Sequence, residues 1–221
     1  MINIAIDGPA GAGKSTIAKA VAKRLGIIYL DTGAMYRSVA YYVLKHGVSV
    51  SDEKGVQGIL DGLEMDIRYE DGAQQIYVCG ENVTPYLREP HMSKAASDVS
   101  ALPAVRYKMV ELQREFAASH DVVLDGRDIG TFVLPEANCK FYMTASPEER
   151  AERRHKELAE KGNACTFKEV LDDINKRDYN DSHRAVAPLR QADDAVYIDT
   201  TDMTPEEVTE LVVRTVSEKR K

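Results

Sequence analysis

Residues 8–15 read Gly-Pro-Ala-Gly-Ala-Gly-Lys-Ser, inside the stretch "IAIDGPAGAGKSTIAKAVAKRL" at 4–25. They fit G-x-x-x-x-G-K-[ST] at every fixed position, a spacing that binds phosphate. Glycines let the backbone turn tightly enough to aim N–H groups at phosphate oxygens, and the helix that follows adds its positive end. Gly8, Pro9, Ala10, Gly11, Ala12, Gly13, Lys14, Ser15 and Thr16 are therefore expected to hold a nucleoside triphosphate. Lys14 would reach the β- and γ-phosphates, and the Ser15 hydroxyl would ligate Mg²⁺.

Transfer of that phosphate needs a second anion site. Asp31-Thr32-Gly33 ends an apolar strand and opens a helix, with Arg37 one turn in. "VVLDGRDIGT" at 122–131 runs another apolar strand into Asp125, Arg127 and Asp128. Ligands of open α/β sheets gather at the carboxyl ends of strands, so these clusters are expected near the phosphate loop. Asp125 is placed to hold Mg²⁺ through water. Plainer readings stand beside these: Asp31 or Thr32 caps a helix, Arg37 is a solvated helix residue, and Asp125-Gly126 is a turn. Arg88 and Arg190 read equally well as ligands or as solvated groups.

Two helical faces rich in arginine follow. Arg150, Arg153 and Arg154 have i, i+3, i+4 spacing, and Arg177, Asp181 and Arg184 have i, i+4, i+7 spacing. Joined by the glycine-bearing "AEKGNACT", they suggest a helical hairpin lid rather than two surface helices with ion pairs. Phosphoryl transfer is catalysed mainly by positioning and positive charge, which Lys14, Arg127, Arg150, Arg154 and Arg184 can supply. Arginines that arrive with the acceptor also keep water out. No catalytic base stands out. A monophosphate acceptor needs none, since its second pKa is ~6, whereas an alcohol would call for a carboxylate such as Asp31.

A GTP-hydrolysing switch is the main competitor, because "NKRD" at 175–178 matches the N-K-x-D guanine-reading pattern. In a switch that motif closes an apolar strand. Here it lies in "FKEVLDDINKRDYNDSHR", a charged helical stretch, and the D-x-x-G match Asp52–Gly55 lies in a polar segment.

The elements that must carry these residues follow from periodicity. "INIAI" (2–6), "IIYL" (27–30), "DVVLD" (121–125), "CKFYM" (139–143) and "AVYI" (195–198) read as buried strands. Helices are expected at 14–25, ending near Gly26, and at about 33–46; Ser146-Pro147-Glu148-Glu149 and Thr204-Pro205-Glu206-Glu207 read as capping boxes. Alternating strands and helices imply a parallel sheet covered on both faces. Residues 63–84 break that rhythm as two or three antiparallel strands, with Asp71-Gly72 and Gly80 at turns, a small subdomain inserted in the core.

Composition narrows the class. The 221-residue chain has a net charge of −7, so nucleic acid is not the expected partner. Cys79, Cys139 and Cys165 are odd in number and form no CxxC, which argues against a disulfide framework or zinc site. The five histidines show no metal spacing. No stretch approaches the ~18 apolar residues of a membrane span, and the N-terminus lacks a basic head and cleavage site. A cytoplasmic protein is expected.

"IDGPAGAGKST", "LDTGAMYR", "KAASDVSALPAVR", "DGRDIGT" and "RDYNDSHRAVAPL" together resemble bacterial cytidylate kinases, over essentially the whole chain. The resemblance implies a P-loop NTPase-like three-layer α/β/α fold over 1–221. Its parts would be a five-stranded parallel sheet, an inserted NMP-binding subdomain with antiparallel strands over about 35–100, and a helical lid over about 148–185. It implies a monomer that transfers the γ-phosphate of ATP, with Mg²⁺, to CMP or dCMP. Thr32, Arg37, Arg127 and Arg184 fall at the family's acceptor-phosphate positions, with Tyr36 among the acceptor-binding residues. Ser97, Arg106 and Asp128 fall at cytosine-contacting positions, and Arg177 and Asp181 at sugar-contacting ones. Some members carry serine where this chain has Thr32; the hydroxyl survives. The chemistry of the base agrees: a carboxylate accepts from cytosine N4, and an arginine donates to O2 and N3. Uracil would set oxygen against oxygen at the carboxylate.

Overall fold

A computed structural model describes residues 1–70, 72–89, 91–160 and 162–219. The chain divides into two compact units, one formed by Met1–Tyr29 with Ser119–Lys221, the other by Leu30–Ala118.

The first unit is built on parallel strands. β1 is Asn3–Asp7 and α1 is Lys14–Leu25; β2 (Ile28–Asp31) follows and carries the chain into the second unit. After the second unit come β6 (Val122–Gly126), β7 (Cys139–Thr144), α6 (Pro147–Glu160), α7 (Phe167–His183), β8 (Val196–Asp199) and α8 (Pro205–Lys219). The sheet order is β2-β6-β1-β7-β8. β1 lies in the centre, with Ile6 opposite Asp125 and Phe141. Centrality explains its composition: Ile4 and Ile6 on one face and Ala5 on the other are all fully buried. Ile17, Val21, Phe141, Met143, Val208, Val212 and Val216 pack in the same core, each worth about 2 kcal/mol.

Helix ends follow local chemistry. Gly26 closes α1 in the left-handed conformation (φ 66°), with its N–H on the Ala22 carbonyl. Thr204 and Glu207 form a reciprocal box: the Thr204 N–H donates to the Glu207 carboxylate and the Glu207 N–H to Thr204 Oγ1. Thr166 and Glu169 do the same at α7. At α6 only half of the expected box forms. The Glu149 N–H donates to Ser146 Oγ, but the Glu149 carboxylate takes Arg153 and the Ser146 N–H goes to Thr201 Oγ1. A charge-assisted partner outcompetes a neutral amide.

The second unit holds α2 (Thr32–Lys45), α3 (Glu53–Leu60), the antiparallel strands β3 (Met65–Glu70), β4 (Ala73–Val78) and β5 (Glu81–Asn82), then α4 (Met92–Ser100) and α5 (Pro103–Ser119). α2 starts at Thr32, a residue earlier than its sequence suggests, because Asp31 is the N-cap and accepts the Ala34 N–H at 2.7 Å. Met35, Val39, Tyr42 and Val43 form its buried face. Glu70 pairs with Ala73, so a two-residue loop joins β3 to β4, with Gly72 at φ 75°. Its other residue, Asp71, lies outside the described residues.

Candidate active site

The phosphate loop runs from the end of β1 to the start of α1, and its backbone fixes its glycines. Gly8 has φ 146°, and a Cβ there would lie 1.8 Å from the Met143 carbonyl oxygen of β7. Gly11 and Gly13 also have positive φ, 78° and 84°. Lys14 is buried and donates from Nζ to the Pro9 carbonyl at 2.7 Å. Burial, and then the charge of Arg127, pull its pKa down to about 7. Ser15 Oγ donates to Asp125 Oδ2 at 2.6 Å, and Tyr29 donates its hydroxyl to the other oxygen of Asp125 at 2.9 Å.

Beyond Asp125 the chain makes a single π-helical turn, Ile129–Val133. Asp7, the last residue of β1, holds that turn: its two carboxylate oxygens accept the N–H groups of Ile129 and Gly130, each at 2.7 Å. Burial pushes the Asp7 pKa up to about 6, Asp128 adds to the rise, and the two N–H bonds oppose it. Asp7 thus links the phosphate loop to the segment bearing Arg127 and Asp128. The sequence reading passed over Asp7, although an apolar strand ending in a charge just before a glycine turn points to it.

Arg127, Arg150, Arg153, Arg154, Arg177 and Arg184 of this unit each hold a polar partner, whereas Arg190 is exposed. Arg127 Nε donates to Asp181 at 2.7 Å, and Arg184 Nη2 to Asp128 at 2.9 Å with both side chains under a tenth exposed. Burial works against the Arg127 charge, yet Asp181 leaves its pKa raised. Arg150 is buried and donates to the carbonyls of Ala145 and Ala10 while pairing with Asp178 at 2.7 Å. It therefore ties α6 and α7 to the phosphate loop. Arg153 turns to Glu149 and the Thr200 carbonyl, Arg154 to Glu157, and Arg177 to Asp173. Helical spacing placed Arg150, Arg153 and Arg154 together, but each takes a different partner. Of the joining segment between α6 and α7, Lys161 lies outside the described residues.

In the second unit Asp31 is the hub. Both its oxygens accept from Arg37 Nη2 at 3.2 Å, and Oδ2 also accepts from Arg88 Nη2 at 3.4 Å. Arg37 Nε is buried with no hydrogen-bond partner among the described residues. Thr32 is buried beside Asp31 at the start of α2. Arg106 on α5 is almost fully buried, donates to the Ser100 carbonyl at the end of α4, and lies over the Tyr36 ring at 5.8 Å. Ser97 sits on α4, and its carbonyl accepts the Ser100 hydroxyl.

Neither switch-like motif serves guanine. The 175–178 stretch lies in the middle of α7, with Asp178 on Arg150 and Arg177 on Asp173. Asp52 caps α3 by accepting the Gly55 N–H. Among the described residues, no helix is long and apolar enough to cross a membrane, and no group of three or more His, Cys, Asp or Glu is placed to hold a metal.

A phosphate loop leaving the central strand of a parallel sheet, with a carboxylate against its serine and guanidiniums beside it, defines a P-loop phosphotransferase. The fold is shared with a gluconokinase from Sinorhizobium meliloti, with a TM-score of 0.52 at 13% identity over 98% of this chain and 92% of that one. The family model for cytidylate kinase matches residues 4–218. The cytidylate kinase of Lactobacillus johnsonii is 47% identical over 221 residues, 100% of this chain and 96% of that protein. The cytidylate kinase of Caldicellulosiruptor bescii is 50% identical over 212 residues, 96% of this chain and 94% of that protein. The chain belongs to the cytidylate kinase family.

Proposed function

We propose that the protein transfers the γ-phosphate of ATP to CMP or dCMP, releasing ADP and the nucleoside diphosphate. One observation carries this reading beyond the phosphate loop. Arg37, Arg127 and Arg184 each rest on a carboxylate, Asp31, Asp181 and Asp128, and Arg37 keeps a buried N–H with no partner among the described residues. Guanidiniums held this way suit an anionic acceptor, whose oxygens would replace or join the carboxylates. In this reading Thr32, Arg37, Arg127 and Arg184 hold the acceptor phosphate. Tyr36 is a further acceptor-binding residue, Ser97, Arg106 and Asp128 take the cytosine, and Arg177 and Asp181 the sugar. A monophosphate is already largely ionised at neutral pH, so no base is required. The residues' part is to orient it and to exclude water.

Mg²⁺ fits the donor set. The Ser15 hydroxyl and the Asp125 carboxylate are hard oxygen donors in contact, and this cation favours one or two such groups together with phosphate oxygens. When bound it would neutralise charge on the β- and γ-phosphates. A monomer working in a reducing cytoplasm completes the reading; the three free cysteines support the reducing compartment.

The test is an assay with ATP, Mg²⁺ and a panel of nucleoside monophosphates and alcohols. ADP should appear with CMP or dCMP, more slowly with UMP, and hardly at all without an acceptor. Equal rates across the panel would contradict the assignment.

Binding of the triphosphate should also move protons. Lys14 has a pKa near 7 with its ammonium on the Pro9 carbonyl, and polyphosphate restores its charge. Uptake linked to Lys14 should grow from about half a proton at pH 7 toward one near pH 8. Calorimetry in buffers of different ionisation enthalpy measures it, with Lys14→Met as the reference that lacks this share.

A further inference from the structure

The β3–β4 hairpin meets Asp31 through one side chain. Gln74 Oε1 accepts the Asp31 N–H at 2.8 Å, and Gln74 Nε2 donates to the Asp31 carbonyl at 3.4 Å. A single amide therefore bonds both backbone groups of Asp31, as a neighbouring strand would. Directly across the hairpin, Gln74 pairs with Tyr69, whose phenol pKa is pushed up by burial and by the charge of Asp31. Opposed residues of an antiparallel pair point to the same face, so one rung of the hairpin addresses Asp31.

Asp31 in turn orients everything around it. Its carboxylate caps α2, holds Arg37 by both oxygens and reaches Arg88. A turn of its backbone plane would swing both guanidiniums. No other side-chain type has the length and chemistry of glutamine here: Glu lacks the donor, and Asn is a methylene too short.

We propose that Gln74 is a positioning residue that lets the inserted hairpin set the geometry of the acceptor-phosphate arginine Arg37 through Asp31. The proposal rests on the reading of the protein as a kinase of CMP. Loss of Gln74 leaves Arg37 present but less well aimed, so the penalty falls on acceptor capture.

Gln74→Met keeps the length and removes both hydrogen bonds. It should raise KM for CMP about tenfold while leaving KM for ATP and the thermal midpoint near their parent values. Gln74→Asn, which stays polar on a half-buried strand, should do the same. In an Arg37→Met background the added effect of Gln74→Met should fall below about twofold, because the guanidinium it aims is gone. The proposal is overturned by an unchanged KM for CMP, by an equal rise for ATP, or by the full tenfold effect in the Arg37→Met background. Loss of folding in both Gln74 variants would assign the residue a structural role and overturn it as well. Failure of the parent protein to phosphorylate CMP would instead remove the functional reading.

Discussion

Replacing Lys14 with methionine is expected to lower kcat for CMP at least about a thousandfold while leaving the thermal midpoint at pH 7 unchanged or higher. The two halves of this result have one cause. Lys14 is buried with its ammonium on the Pro9 carbonyl, and burial depresses its pKa from 10.5 to about 7. Between those values the unfolded chain binds the proton more readily than the folded one, so the Lys14 contribution to stability rises with pH across that window. Methionine fills the space and removes the penalty, which outweighs the lost hydrogen bond. It also removes the charge proposed to meet the β- and γ-phosphates. Steady-state kinetics and scanning calorimetry read the two effects separately. A variant that unfolds more easily at pH 7 would contradict this account of the lysine's environment.

The second large effect is expected at the Arg184–Asp128 pair. These side chains are 8% and 7% exposed and lie 2.9 Å apart, so water screens them little. Arg184→Met should lower stability by about 3 kcal/mol, because it leaves a nearly buried carboxylate without that guanidinium. It should also slow transfer with every acceptor about a hundredfold. Asp128→Ala should lower stability similarly, and it alone should narrow the preference for CMP over UMP. The double variant should recover most of the stability, since both charges are gone, yet none of the activity. Denaturant unfolding of the three variants, with rates for CMP and UMP, makes the comparison. A double variant as unstable as the sum of the singles would show that the two residues act independently.

Much of the frame was legible because it depends on short-range pattern. Strand runs at 2–6 and 121–125, the loop motif at 8–15 and the Gly26 stop all appear within a residue or two of their structural positions. Partners that come from elsewhere in the chain were not legible. Arg150 shows a helical face but not that it would spend its donors on Ala10, Ala145 and Asp178. Tyr29 reads as an apolar strand residue, and only the fold brings its hydroxyl to Asp125. Gln74 is an unremarked polar residue in a hairpin until Asp31 is placed against it. The π-helical turn after Asp128 has no sequence pattern, since it is held open by Asp7 from another strand.

In the proposed reaction phosphate passes directly from one nucleotide to another. The most direct test is a single turnover with ATP labelled in the γ-phosphate, excess enzyme and one equivalent of CMP. The label should appear in CDP at the rate at which ATP disappears, with inorganic phosphate a minor product. Label released mainly as inorganic phosphate, at a rate indifferent to CMP, would contradict the account.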